Sequence, residues 1–251
     1  MKRIILALTL LLTSLSASAF QCSTVNPYHG NPVVAAICHT AYETFVDKEQ
    51  KIPLMVHYEI EPVHEQSCNL RTGSFKADPS LDKVFQATSS DYSTGNPDGF
   101  VYDIGHLFAA EDGLFDPNVE HETFFFTNAN PQAPAFNRGK WKQLEGMVRN
   151  WAVQSGHILN VYTGPIPGVV IDTSGTLPVP GEFYKVVVDE TTNEAIIFRM
   201  KAPRADEAGW HGTTTNADVV TSLKEVPLNL TKWTVRKTMW TKAPRARKTC
   251  N

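Results

Sequence analysis

Three polar residues near the middle of the chain have the types and spacing that hydrolysis needs. His106 ends the run Asp103-Ile104-Gly105-His106, and Asn137 and Glu145 lie eight residues apart on a later segment. Eight residues of helix rise roughly 12 Å and turn the two side chains to within about 80° of each other. Glu145 is therefore too far along the axis to share one coordination shell with Asn137. It can still reach waters held near the amide, because helical side chains lean toward the N-terminus. An amide oxygen and several waters suit Mg²⁺, which prefers oxygen ligands and keeps much of its hydration. A neutral imidazole, an amide-bound cation and a water-orienting carboxylate are parts enough to hydrolyse a phosphodiester. Taken singly, each residue has a plainer reading. His106 reads as a surface histidine, Asn137 as a helix N-cap and Glu145 as the i, i+4 partner of Arg149.

Local pattern says how these residues would be positioned. Phe100-Val101-Tyr102 reads as a strand delivering Asp103, and Phe124-Phe125-Phe126 as a second strand stopped by Ala129-Asn130-Pro131-Gln132. Trp141, Leu144, Val148, Trp151 and Ala152 then recur at helical spacing from Asn137 onward, and Ser155-Gly156 supplies a C-terminal stop. The expected order is strand, loop, strand, helix, with polar side chains at the junctions.

These residues resemble the DNA/RNA non-specific endonucleases, whose site is a ββα-metal motif. The resemblance rests on Asp103-Ile104-Gly105-His106 with Asp112, on Asn128 to Gln132, and on Phe136 to Glu145. Thr163-Gly164-Pro165, Pro180 to Val186, Phe75 to Pro79 and Asp91-Tyr92 add to it, so that it covers roughly 53–200. It implies a nucleic-acid substrate, with DNA and RNA both accepted, and Mg²⁺ (Mn²⁺ also possible) as cofactor. It implies His106 as general base, Asn137 as metal ligand and Glu145 as the residue orienting a metal-held water, with Asn128 as a further catalytic candidate. Arg71 and Lys76 are candidate phosphate contacts. Ile104 departs from the family, which has Arg there; Arg138, Lys140 and Arg71 are the candidates to replace its charge. A nuclease-fold binding protein with weakened catalysis is the alternative that Ile104 favours, and a phosphodiesterase for another phosphorylated substrate is a third reading.

The rest of the chain sets the frame. Met1-Lys2-Arg3, the apolar run from Ile4 to Leu12 and Ala17-Ser18-Ala19 read as a secretory signal peptide over residues 1–19. Residues 20–251 are then one α+β domain with a mixed or antiparallel sheet, working in a secreted or periplasmic setting. No later run of eighteen apolar residues suggests a membrane span. Cys22, Cys38, Cys68 and Cys250 suit two disulfides in that compartment. Three connectivities remain open, Cys22–Cys38 with Cys68–Cys250 being preferred, and no zinc-type spacing appears.

Residues 33–42 read as a short helix, Pro53 to Ile60 as a strand in which His57 packs or hydrogen-bonds, and His157 to Thr163 as a buried strand. Glu182 to Asp189 and Glu194 to Met200 read as a hairpin. The net charge of −3 is awkward for a nucleic-acid partner. Basic residues do gather from Lys232 to Lys248, beside Trp233 and Trp240. That stretch could track phosphates and stack bases, or it could be a solvated tail with two packed tryptophans.

Overall fold

Side chains of Glu182–Asp189 alternate between two buried clusters, as the two-residue period of a strand requires: Phe183 and Val187 enter one, and Tyr184, Val186 and Val188 the other. This strand lies inside the large sheet of the computed structural model, which describes residues 20–23, 34–204, 212–230 and 232–240. The strands in chain order are β1 (Val34–Cys38), β2 (Tyr42–Asp47), β3 (Ile52–Ile60), β4 (Asp103–His106), β5 (Ala129–Gln132) and β6 (Leu159–Pro165). They continue with β7 (Val170–Ser174), β8 (Leu177–Pro180), β9 (Glu182–Asp189), β10 (Glu194–Lys201), β11 (Val219–Val220) and β12 (Thr234–Val235). The α-helices are α1 (Ser89–Ser93), α2 (Pro117–Thr123) and α3 (Lys142–Ser155).

The large sheet runs β1-β2-β3-β6-β9-β10-β11 with antiparallel neighbours, and β12 joins β10 in parallel. Helix α3 covers one face. Its Leu144, Val148, Trp151 and Ala152 form one apolar stripe and share a cluster with Val56, Tyr58, Val161, Phe183, Val187 and Phe198. The other face is covered by Val226, Leu228, Leu230 and Trp233 from the C-terminal segment. The α+β expectation, with antiparallel sheets and a ββα motif, is what the structure shows. Strands β4 and β5 pair antiparallel, and the chain then enters α3 through a stretch of π-helix, Phe136–Trp141.

Several local expectations are corrected. The strand in the first half of the motif is Asp103–His106 itself, not the residues before it. Phe124 and Phe125 are buried, but Phe126–Asn128 is a 3₁₀ turn and the second strand is Ala129–Gln132. Pro131 does not stop that strand because β4–β5 is only two-stranded, and a proline is tolerated on such an edge. The helix expected near residues 33–42 is the β1–β2 hairpin, since pairing to the sheet edge overrides a weak local preference. By contrast, α3 ends at Gly156 with φ +72°, and the β9–β10 hairpin turns through Asn193 with φ +57°, both where turn chemistry placed them.

Cys22–Cys38 is formed, with a Cα–Cα distance of 5.9 Å. Cys68 is also disulfide-bonded. Cys250 and residues 1–19, where a signal peptide was expected, lie outside the described residues, as does much of the basic C-terminal stretch. Within its described part the tryptophans pack. Trp233 is buried, and Trp240 meets Trp151 edge-to-face at 5.2 Å. Lys232 and Arg236 pair with Glu190 and Glu194. Among the described residues no helix is long and apolar enough to cross a membrane.

Candidate active site

His106 closes β4, and the residue before it must be glycine. A Cβ on Gly105 would sit 2.2 Å from Gln132 Oε1 across the β4–β5 pair. The His106 ring is held between Phe75, at 4.7 Å between centroids, and Phe124, edge-on at 4.9 Å. Its Nε2 is buried and has no hydrogen-bond partner among the described residues. Burial in this aromatic clamp, followed by the nearby Arg71 charge, pulls the imidazole down to about 3. The ring is therefore neutral at pH 7.

Asn137 does not cap a helix. It lies inside the π-helical stretch, and its backbone N–H already bonds Ala133 O at 2.9 Å. Such wide turns recur at functional sites because they push a side chain out of helical register. The Asn137 Nδ2 donates to Asp103 Oδ2 at 2.9 Å, so strand β4 fixes the amide. Asp103 also takes a bidentate pair from Arg138, Nε at 2.9 Å and Nη2 at 2.6 Å. The Asn137 amide oxygen is left with no protein donor among the described residues. Glu145, in the first turn of α3, likewise accepts no hydrogen bond and makes no ion pair among them. Burial pushes its carboxyl up to about 7, with the Lys185 charge opposing.

These groups share a cleft of about 350 Å³ whose walls include Arg71, Ile104, His106, Asn137, Lys142 and Glu145. Arg71 stands with its guanidinium 4.9 Å from the Phe124 ring centroid, on the ring that also flanks His106. Of the candidates to replace the family's arginine at Ile104, Arg71 is the one in the cleft with its charge not committed to a carboxylate. Arg138 also lines the cleft but is paired with Asp103. Lys140 pairs with Asp218 and is not part of the wall, and the Lys76 ammonium lies 5.3 Å from the Phe125 ring, also outside it.

Asn128 is not among the residues lining the cleft. It is fully buried, its Oδ1 accepts from Phe108 N at 2.8 Å, and its Nδ2 donates to Phe108 O and Thr123 O. Every polar atom of that side chain is used inside the fold, so it braces the loop between β4 and β5 rather than facing the cleft. The bland partner expected for Glu145 is also replaced. Arg149 bonds Asp112 and Glu111 and approaches Glu65, forming a charge network in which Glu111 also lines the cleft. Sequence reasoning missed the Phe75–Phe124 clamp, Lys142 and Lys185. The aromatic pair could have been suspected only from its place beside the matched blocks.

The donor set fits a hard, hydrated cation. An oriented amide oxygen and an unpaired carboxylate are oxygen ligands of the kind Mg²⁺ takes through and alongside water. Among the described residues no group of three or more His, Cys, Asp or Glu is gathered to hold a metal.

Human mitochondrial endonuclease G is 29% identical over 153 residues, 55% of this chain and 50% of that protein. Bovine mitochondrial endonuclease G is 27% identical over 197 residues, 72% and 64% of the two. The salivary endonuclease of Lutzomyia longipalpis is 26% identical over 198 residues, 67% and 47%. The chain thus spans about half the length of the curated relatives it matches. Among solved structures, the crystal structure of an EndoG/EndoGI complex superposes with a TM-score of 0.61 at 24% identity, over 74% of this chain and 79% of that one, and shares the fold. The family model described as DNA/RNA non-specific endonuclease matches residues 22–232, and on that match the chain belongs to the DNA/RNA non-specific endonuclease family.

Proposed function

We propose that this protein is a metal-dependent endonuclease that hydrolyses phosphodiester bonds of DNA and RNA with little sequence specificity. The observation that carries the reading is the meeting in one cleft of an uncharged imidazole, an arginine that pairs with no carboxylate among the described residues, and an amide–carboxylate pair. His106 takes a proton from the water that attacks phosphorus, a role that requires the ring to be uncharged beforehand. Arg71 binds the phosphate and meets the negative charge that grows on it, the task the family gives to the arginine that Ile104 replaces. Asn137, turned by Asp103, would hold Mg²⁺ (Mn²⁺ could substitute) through its amide oxygen, with Glu145 orienting waters around the ion. The bound cation would supply charge against the phosphate and the leaving 3′ oxygen. Since all these groups address phosphate rather than base edges, both nucleic acids should be cut with weak preference.

A secreted or periplasmic setting is supported by the Cys22–Cys38 disulfide, which persists in oxidising compartments, and by the salivary source in one relative's name. The rival reading, a nuclease fold kept for binding alone, loses its main argument because Arg71 brings a cation to the cleft. The test is digestion of plasmid DNA and total RNA by the oxidised protein with Mg²⁺, with EDTA, and with a His106→Ala variant. Cleavage of both substrates that stops with EDTA and with the variant supports the reading. Intact substrates in Mg²⁺ and Mn²⁺ from a folded protein would overturn it.

A further inference from the structure

Arg71 is exposed and pairs with no carboxylate among the described residues, so something other than an ion pair must fix it at the cleft. Burial does not fix it, since Leu70 beside it is 81% exposed. Its guanidinium lies 4.9 Å from the Phe124 ring centroid, a contact that at an exposed site is weak against the freedom of a long side chain. The loop that carries Arg71 has to be held through its backbone.

That hold comes from α2. Glu120 is 1% exposed and turns its carboxylate onto the loop. Its Oε1 accepts from Thr72 N at 3.1 Å and from Gly73 N at 3.0 Å, and its Oε2 accepts from Gly73 N at 3.1 Å and Thr72 Oγ1 at 3.4 Å. His121 Nε2 stands nearby, 3.2 Å from Thr72 Oγ1 and 3.7 Å from Glu120 Oε2. Four residues after Glu120, at the C-terminal cap of α2, comes Phe124. Gly73 lies against its ring, where a Cβ would fall 2.2 Å from Phe124 Cδ2. The loop then leaves by backbone pairing, with Lys76 N donating to Phe124 O and Phe126 N to Lys76 O, both at 3.0 Å. One short helix thus supplies the carboxylate that grips residues 72–73 and the ring on which Arg71, Phe75 and His106 converge.

The choice of partner for that carboxylate matters. A carboxylate only accepts, and it binds adjacent N–H groups strongly. Set against the guanidinium, it would cancel the charge that a phosphate needs. Set against the backbone one and two residues further on, it fixes the arginine and leaves that charge free. We propose that Glu120 is a positioning residue: its carboxylate anchors the backbone at Thr72 and Gly73 and so keeps Arg71 on the Phe124 ring, ready for a substrate phosphate. The phosphate side of this inference rests on the hydrolase reading, whereas the anchoring belongs to the free protein.

The test compares wild type with Glu120→Ala, which removes every acceptor, and Glu120→Gln, which keeps an oxygen for both N–H groups. Each is also made in an Arg71→Ala background. Three things are measured: kcat and KM on plasmid DNA, the Arg71 side-chain proton shifts that the Phe124 ring current displaces in metal-free protein, and hydrogen exchange at the Thr72 and Gly73 amides. Glu120→Ala is expected to lose about tenfold in kcat/KM and to move the Arg71 shifts toward those of a free side chain, while Glu120→Gln keeps most of both. On the Arg71→Ala background, Glu120→Ala should cost less than about twofold more, because the residue it positions is gone. Equal losses on the two backgrounds would overturn the proposal and make Glu120 a residue of the fold alone. So would Arg71 shifts that do not move in Glu120→Ala. Should that variant not fold, wild type decides by itself: Thr72 and Gly73 amides that exchange as fast as an open loop, or Arg71 shifts of a free side chain, would equally sink the anchor, and protected amides with displaced shifts would uphold it. If wild type cleaves nothing, the hydrolase reading fails, and the Arg71 shifts still decide the anchoring.

Discussion

Two histidines on different strands of this molecule answer the same physical problem in opposite ways. His57, on β3, is buried and has both ring nitrogens engaged: Nδ1 with Glu43 Oε1 at 2.8 Å and Nε2 with Asn160 Oδ1 at 3.1 Å. It also stacks on Tyr162, with centroids 4.2 Å apart and planes inclined by 3°. His106 makes no side-chain hydrogen bond among the described residues and is gripped by two phenyl rings instead. A fold gains nothing by leaving a polar atom unpaired, because the desolvation penalty goes unrecovered. The satisfied histidine is therefore a brace, and the unsatisfied one is held ready for something the protein itself does not contain.

The sharpest way to break this contrast is to remove each ring in turn. His106→Ala should lower cleavage by about a thousandfold or more, within the range for loss of a general base, while the melting temperature holds steady or rises. A variant that keeps even a tenth of the activity would mean that His106 is as structural as His57. His57→Ala should show the converse. It leaves the Glu43 carboxylate buried with Ser23 as its remaining donor, and should cost about 2–4 kcal/mol of stability, or roughly 5–10 °C in melting temperature. Its kcat measured well below the transition should stay within about twofold of wild type. A fall in kcat without a fall in melting temperature would contradict the division of roles.

The same contrast extends to cations. Arg138 is tied to Asp103, whereas Arg71 lines the cleft with no carboxylate partner among the described residues. Arg71→Ala should reduce kcat/KM about thirtyfold, near 2 kcal/mol of transition-state stabilisation. Adding Ile104→Arg to that variant should recover part of the loss, because both positions line the same wall. Full activity in Arg71→Ala would show that the cleft needs neither cation.

How much of this was legible depended on how local the cause was. His106, Asn137 and Glu145 could be singled out because their blocks are short, ordered and flanked by strand and helix patterns, and the ends of α3 and of the β9–β10 hairpin carry their own turn residues. Asn128 stayed open between bracing and chemistry because an amide suits both equally, and only burial separates the two. Residues 34–38 gave no sign that a sheet edge awaited them. Lys185 could be placed on the inward face of its strand by alternation, but nothing local says that Trp141 and Tyr58 would enclose it. That Asn137 sits in a π-helical stretch was not legible, since such a stretch has no sequence signature that separates it from the start of a regular helix.

The smallest expected effect is a pH dependence of stability that His106 contributes and loses on substitution. Its folded-state value lies near 3, well below the ordinary histidine value of 6.5. Between those values the unfolded chain binds a proton that the folded protein refuses, so stability falls as pH drops from about 6.5 toward 3 and is unaffected above that window. The ring is partly exposed at the cleft, which screens the effect, and about 1 kcal/mol by pH 5 is a reasonable size. Carboxylates act lower on the scale. Glu43, despite burial, is held below its ordinary range by hydrogen bonds from His57 and Ser23, and Asp78 is held down likewise by His39 and Thr127. Their stabilisation is present above the unfolded carboxylate range and is lost as pH falls through it, beneath most of the His106 window. Denaturant unfolding of wild type and His106→Ala between pH 7.5 and 5 should therefore give curves that converge at the alkaline end, once any constant offset is removed, and diverge toward acid, with wild type losing stability faster. Parallel curves would mean that the clamp does not exclude the proton, and His106 would then be poised much like an exposed histidine.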